Sequence, residues 1–145
     1  MKALHLFLKH TEYQIKKEEF ILKEFLSELD EVETKIESLR KEYSVKKQQL
    51  TRVKNGMEIS LLLNYCNFIL EEIEKKNVEK KQLLHKIQIQ KQKLARLNGE
   101  KKAVEKFLEK KKRNELINQL VQEGRLADEV FSRVYADGDD SSWNA

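Results

Sequence analysis

Apolar residues recur along the first third of the chain at a spacing of seven. From Leu8 the series runs Leu8, Ile15, Leu22, Leu29, Ile36, Tyr43 and Leu50, apolar or aromatic at every step. Its companion positions are Thr11, Glu18, Phe25, Val32, Leu39, Lys46 and Val53. A stripe that returns every 3.5 residues faces one partner helix, so these are the a and d positions of a coiled-coil seam. A second register follows "KNGM". Its a positions are Ile59, Cys66, Ile73, Lys80, Ile87, Leu94, Lys101 and Leu108. Its d positions are Leu62, Ile69, Lys76, Leu83, Gln90, Leu97, Val104 and Lys111. The two registers are out of phase, and Asn55-Gly56, the strongest turn dipeptide of the chain, lies between them.

Two seams on either side of a short turn are satisfied most simply by folding on each other. The expected fold is all-α, a long two-helix antiparallel coiled-coil hairpin. Helix 1 is expected over about 4–53, the turn over about 54–57 and helix 2 over about 58–122, with paired numbers adding to about 112. Asn98-Gly99 is a weak spot inside a continuous helix, because the heptad crosses it without a phase change. Gly124 is a place for an interruption, after which a short helix can resume over 126–135. The tail 136–145, "ADGDDSSWNA", is acidic and small and is expected to be disordered. Trp143 in that tail is a candidate docking residue, weighed against a solvated end.

Outward heptad positions should be polar, so apolar residues there call for an explanation. Tyr13 and Phe20 both fall at f of the first register, and Leu61 and Phe68 both fall at c of the second. Register drift at a hairpin end is the bland explanation. The functional one is a pair of partner-binding patches, Leu61, Tyr65 and Phe68 toward the loop and Tyr13, Phe20 and Phe107 toward the termini.

Composition agrees with this plan and narrows the chemistry. Of 145 residues, 37% are charged and none is proline, which favours long helices over sheet turns. The apolar runs fall short of the roughly 20 residues that cross a bilayer, and the N-terminus carries no signal-peptide pattern. A lone cysteine, Cys66, forms no internal disulfide and sits at an a position, so it is read as a small core residue. A soluble cytoplasmic protein is the default. His5, His10 and His85 have no metal-ligand spacing, there is no glycine-rich phosphate loop, and two paired helices enclose no pocket. No enzyme activity, cofactor, metal or small-molecule ligand is therefore expected. A monomer is expected, because the seams are satisfied within one chain.

Charge is segregated. Residues 1–74 carry a net −2, residues 75–113 a net +11 and residues 114–145 a net −5. The densest cationic stretch is Lys101, Lys102, Lys106, Lys110, Lys111, Lys112 and Arg113. Nucleic-acid binding is disfavoured, since the chain has no zinc-finger spacing, RNP-like box or helix-turn-helix pattern. A membrane-surface role is disfavoured as well, since the seam is committed to a partner helix. Glu28, Glu31, Glu33 and Glu37 of the first helix offset part of the charge. The excess reads as a docking surface for an acidic protein.

Beyond these patterns, "NYCNFILEEIEKK" and "KQKLARLNGEKKAVEKFLEKKKRNELINQLVQEGRLADEVFSRVY" resemble the second half of the bacterial flagellar export protein FliJ family. The features that carry the likeness are a "Y-x-x-F-I" start to the second helix, Lys102, Ala103, Glu105, Lys106, Glu109 and Lys110 near its end, then Glu123, Asp128, Glu129 and Tyr135. Length and the two-helix plan match too. The resemblance implies a cytoplasmic stalk of the type III flagellar export apparatus, similar to the central stalk of rotary ATPases and peripherally associated with the inner-membrane machinery. Implied partners are the hexameric export ATPase, the cytoplasmic domain of the export gate and substrate chaperones. The gate side maps onto Tyr43, Tyr65 and Phe68 near the loop, joined by Leu61, and the ATPase side onto the basic helix 101–113. The stalk of an injection-type secretion system and a generic coiled-coil scaffold are the alternatives.

Overall fold

The computed structural model describes the backbone of residues 2–143 and the side chains of residues 2–134. Two helices account for nearly all of it, α1 (Lys2–Leu50) and α2 (Gly56–Trp143), and no strand occurs among the described residues. The chain divides into two units, residues 2–99 and residues 100–145.

The first unit is a hairpin in which α1 and the first part of α2 pack antiparallel. At 1.5 Å per residue α1 is about 75 Å long. Within this unit every a and d residue of the two registers is buried or half-buried, so the hydrophobic stripe is the seam itself. One cluster joins Ile15 to Leu94 and Leu97, with Leu22 packed against it. A second joins Val32 and Ile36 to Leu83, with Leu29 against it. Ion pairs fix the register from outside: Lys93 Nζ lies 2.9 Å from Glu18, and Lys80 Nζ lies 3.5 Å from Glu33. Both pairs add to about the 112 expected for a turn near Gly56.

The reversal differs in detail from the expectation. Helix α1 ends at Leu50 in a tightened turn, with Thr51 N and Oγ1 donating to the Gln48 carbonyl and Arg52 N to the Gln49 carbonyl. Asn55 then acts as the N-cap of α2. Its Oδ1 accepts from Met57 N at 3.0 Å, and its carbonyl accepts the first helical bond from Ile59 N. Gly56 is already helical, and no glycine among the described residues has positive φ. The Asn-Gly pair therefore starts a helix and forms no left-handed turn.

A hydrogen-bonded polar layer interrupts the apolar interior of the hairpin. Glu18 and Gln90, both d residues, are buried together. Gln90 Nε2 donates to the Glu18 carboxylate and, at 2.9 Å, to the Glu18 main-chain carbonyl. No buried side-chain polar atom among the described residues lacks a partner. The Gln90 hydrogen bond first, and Lys93 second, hold the Glu18 carboxyl below its ordinary value of 4.5.

In the second unit α2 continues as helix through Gly124 and residues 136–143, where the sequence suggested an interruption and a disordered tail. A glycine lowers helix propensity by roughly 1 kcal/mol without forbidding it. The flanking leucine, glutamine, glutamate and arginine residues favour the helix. The Trp143 side chain lies outside the described residues, as do residues 144 and 145 in full.

Candidate partner-binding surfaces

At the loop end of the hairpin the last turns of α1 carry Glu42, Tyr43 and Lys46, and the first turns of α2 carry Leu61, Tyr65 and Phe68. The α2 residues are spaced four and then three apart, so they form one stripe along the helix surface. They are exposed by 63%, 40% and 55% respectively. Tyr65 leans across to α1. Its hydroxyl donates to the Glu42 carboxylate, which, ahead of a smaller desolvation effect, pushes the phenol above its ordinary value of 10.0. Lys46 Nζ sits 5.4 Å over the Tyr65 ring, and the Phe68 ring lies 6.5 Å from it at a tilt of 33°. The result is an aromatic ledge anchored at one side and open at the other.

Tyr43 belongs to a different environment. It is a half-buried seam residue, with Lys47 Nζ 5.9 Å over its ring. The structure thus joins Tyr65 and Phe68 directly and keeps Tyr43 in the seam of the same end. It also reveals apolar surface that the outward-position test passed over: Met57, Leu63 and Leu70 are all exposed. Leu63 and Leu70 are seven apart at e, a flanking position, which is why counting only b, c and f missed them.

Toward the other end of the hairpin, Tyr13 and Phe20 are exposed as expected, and Leu6, one heptad earlier, extends their stripe. Lys2, Lys9, Lys16 and Lys23 occupy the neighbouring b positions, so a cationic row runs beside the apolar one. Phe107 is exposed and lies in the second unit.

The basic block also lies in the second unit. Lys102, Lys106, Lys110, Lys112 and Arg113 are exposed, while Lys101 and Lys111, at a and d, are half-buried. Within the block Arg113 pairs with Glu109 at 3.5 Å and Lys101 with Glu105 at 3.9 Å, each one helical turn apart. Two carboxylates for seven cations leave residues 101–113 with a net +5. Exposed pairs of this kind contribute at most about 0.5 kcal/mol each, so the block projects a positive field.

None of these surfaces is an enclosed cavity. The depressions are open grooves, such as one between α1 and α2 beside Arg40 and Asn77 and one along α2 beside Arg113 and Leu116. No group of three or more histidine, cysteine or acidic residues is placed to hold a metal ion among the described residues. No described helix is long and apolar enough to cross a membrane. What the geometry offers is extended faces, apolar at the loop end and cationic on α2, which suit contact with other macromolecules.

Comparison with curated proteins and with solved structures returns no match. The family model described as "Flagellar FliJ protein" matches residues 1–139, which is nearly the whole chain and includes all of α1 and all but the last four residues of α2. That family is a non-catalytic component of flagellar export, and by this match the chain belongs to the flagellar FliJ protein family.

Proposed function

We propose that this protein is a stalk and adaptor of the flagellar export apparatus, which links the export ATPase ring to the export gate and to substrate chaperones. The observation that carries the reading is the family match over residues 1–139, made on a chain whose first unit is a two-helix hairpin. The loop-end ledge of Leu61, Tyr65 and Phe68, with Tyr43 behind it in the seam, is the gate side. Exposed aromatic rings flanked by charged residues are the usual anchors of a protein interface. The block Lys101, Lys102, Lys106, Lys110, Lys111, Lys112 and Arg113 is the ATPase side, where a net +5 steers association with an acidic surface. Tyr13 and Phe20 form a third contact surface. The protein works in the cytoplasm, held at the inner membrane through these partners, and its role is mechanical and non-enzymatic.

Pull-down of the purified chain with the export ATPase and with the gate's cytoplasmic domain tests both assignments. Reversing the charges of 101–113 should abolish ATPase capture and spare gate capture. Tyr65→Ala with Phe68→Ala should do the opposite. Unchanged capture of the ATPase by the charge-reversed chain removes the ATPase-side assignment, and unchanged gate capture by the double alanine variant removes the loop-end one.

A further inference from the structure

Lysine is out of place on a hydrophobic seam, yet Lys46 stands at a d position of the first register. It is half-buried. A lysine in that setting lays its aliphatic stem on apolar surface and carries its ammonium outward. Here the ammonium goes to the face of the Tyr65 ring, 5.4 Å from the centroid. Glu42, one helical turn earlier on α1, takes the far end of the same side chain, since its carboxylate accepts the Tyr65 hydroxyl. Glu42 and Tyr65 are both g residues, at positions that flank the seam and pair across it. On α2 itself the Phe68 ring lies 6.5 Å away, tilted by 33°. Tyr65 is thus gripped from α1 at its hydroxyl and at one ring face while staying 40% exposed.

An exposed side chain on a helix exchanges rotamers within nanoseconds, and freezing one at an interface costs affinity. The two α1 contacts remove that cost before any partner arrives. They also decide what the ledge can take. The hydroxyl proton is already committed and one ring face is already covered. What remains is the open ring face, Phe68 and Leu61, which together form an apolar platform. We propose, on the reading of the loop end as the gate side, that Glu42 and Lys46 are positioning residues: they fix the Tyr65 ring as a preformed platform for an apolar surface of the gate. Neither residue is itself the contact. Their place on α1 makes the platform a product of the hairpin, because α2 alone carries the ring without the groups that hold it.

Titration calorimetry of the full chain with the gate's cytoplasmic domain reads the effect. Glu42→Ala should raise the dissociation constant about 3- to 10-fold, the cost of ordering one side chain on binding. Glu42→Gln still accepts the hydroxyl and should bring binding back to within about twofold of the wild type. Tyr65→Phe loses the same bond, so it should weaken binding as much as Glu42→Ala, and the two together no more than either alone. Lys46→Met keeps the stem and removes the charge, with an expected loss of about 2- to 5-fold. The unfolding midpoint of the Glu42 and Tyr65 variants should stay as in the wild type, because the seam clusters hold the hairpin. In the free chain, the part of the 295 nm titration that Tyr65→Phe removes belongs to Tyr65, and Glu42→Ala should return it toward 10.0. Wild-type affinity in Glu42→Ala overturns the proposal. Additive losses in the double variant overturn it too, since Glu42 would then touch the gate directly. Unchanged gate capture by Tyr65→Ala with Phe68→Ala removes the loop-end reading itself, and the positioning role with it.

Discussion

Gln90→Leu is the most informative single change in the hairpin. Gln90 is only 7% exposed and gives its amide to both the carboxylate and the main-chain carbonyl of Glu18. A hydrogen bond to a charged group is worth about 1.5–3 kcal/mol, and one to a carbonyl about 1 kcal/mol. A buried leucine returns about 1.5–2 kcal/mol through apolar burial. The net loss should be about 1–2 kcal/mol, limited because Lys93 still pairs with Glu18 at 2.9 Å. Glu18→Leu should cost about 1 kcal/mol or less, since Gln90 keeps its bond to the carbonyl. The double variant should lie near the wild type or above it, as replaced buried polar pairs often do. Urea denaturation followed by circular dichroism gives all four corners of the cycle, with an expected coupling of about 2 kcal/mol. Additivity within about 0.5 kcal/mol would refute the claim that the two residues act as one layer.

Further predictions come from other parts of the molecule. Glu18 has a lowered folded pKa, so its contribution is complete above the ordinary value of 4.5 and is lost as pH falls through the lowered one. Stability should therefore drop more steeply below about pH 5 in the wild type than in Gln90→Leu, read from denaturation midpoints at pH 6 and pH 3. Gly99→Ala and Gly124→Ala should each favour the helix by about 1 kcal/mol, because an added Cβ meets nothing within 4 Å and the backbone is helical. Hydrogen exchange around each site reports this, and faster exchange would count against a helix there. Tyr65 should titrate above its ordinary value of 10.0 while Glu42 accepts its hydroxyl, and Glu42→Gln should lower it, as followed by the 295 nm absorbance. Asn55→Ala should cost about 1 kcal/mol through loss of the cap on α2, measured by thermal unfolding.

The seam was legible because a heptad states directly which side chains are removed from water. Leu8 to Leu50 and Ile59 to Leu97 behave as their spacing requires. The role of Asn55-Gly56 was less legible. The same two residues suit a tight turn or a helix start, and only the bond from Met57 N to Asn55 Oδ1 decides between them. Glu18 and Gln90 read in sequence as two polar interruptions of separate stripes. Their partnership depends on which turn of α1 faces which turn of α2, which is a long-range property. An apolar stripe farther along α2, Ile117, Leu120, Phe131 and Val134, was hidden for another reason: a register carried unbroken through α2 counts Glu115 and Gln122 as failures and overlooks a two-residue shift of phase. Leu61 and Phe68 were found by their outward heptad positions, whereas Leu63 and Leu70 sit at a flanking position where apolar residues are ordinary.

The central claim is that the first two seams close on each other within one molecule. Spin labels on cysteines introduced at Glu19 and Lys91, both exposed, in a Cys66→Ala chain diluted with unlabelled protein, measure it by pulsed dipolar spectroscopy. A hairpin puts the labels about 20 Å apart, since packed helix axes lie only 8–10 Å from each other. An uninterrupted helix would hold them about 108 Å apart. A short distance that survives dilution is the predicted result. A short distance that disappears with dilution, or none at all, would contradict the account.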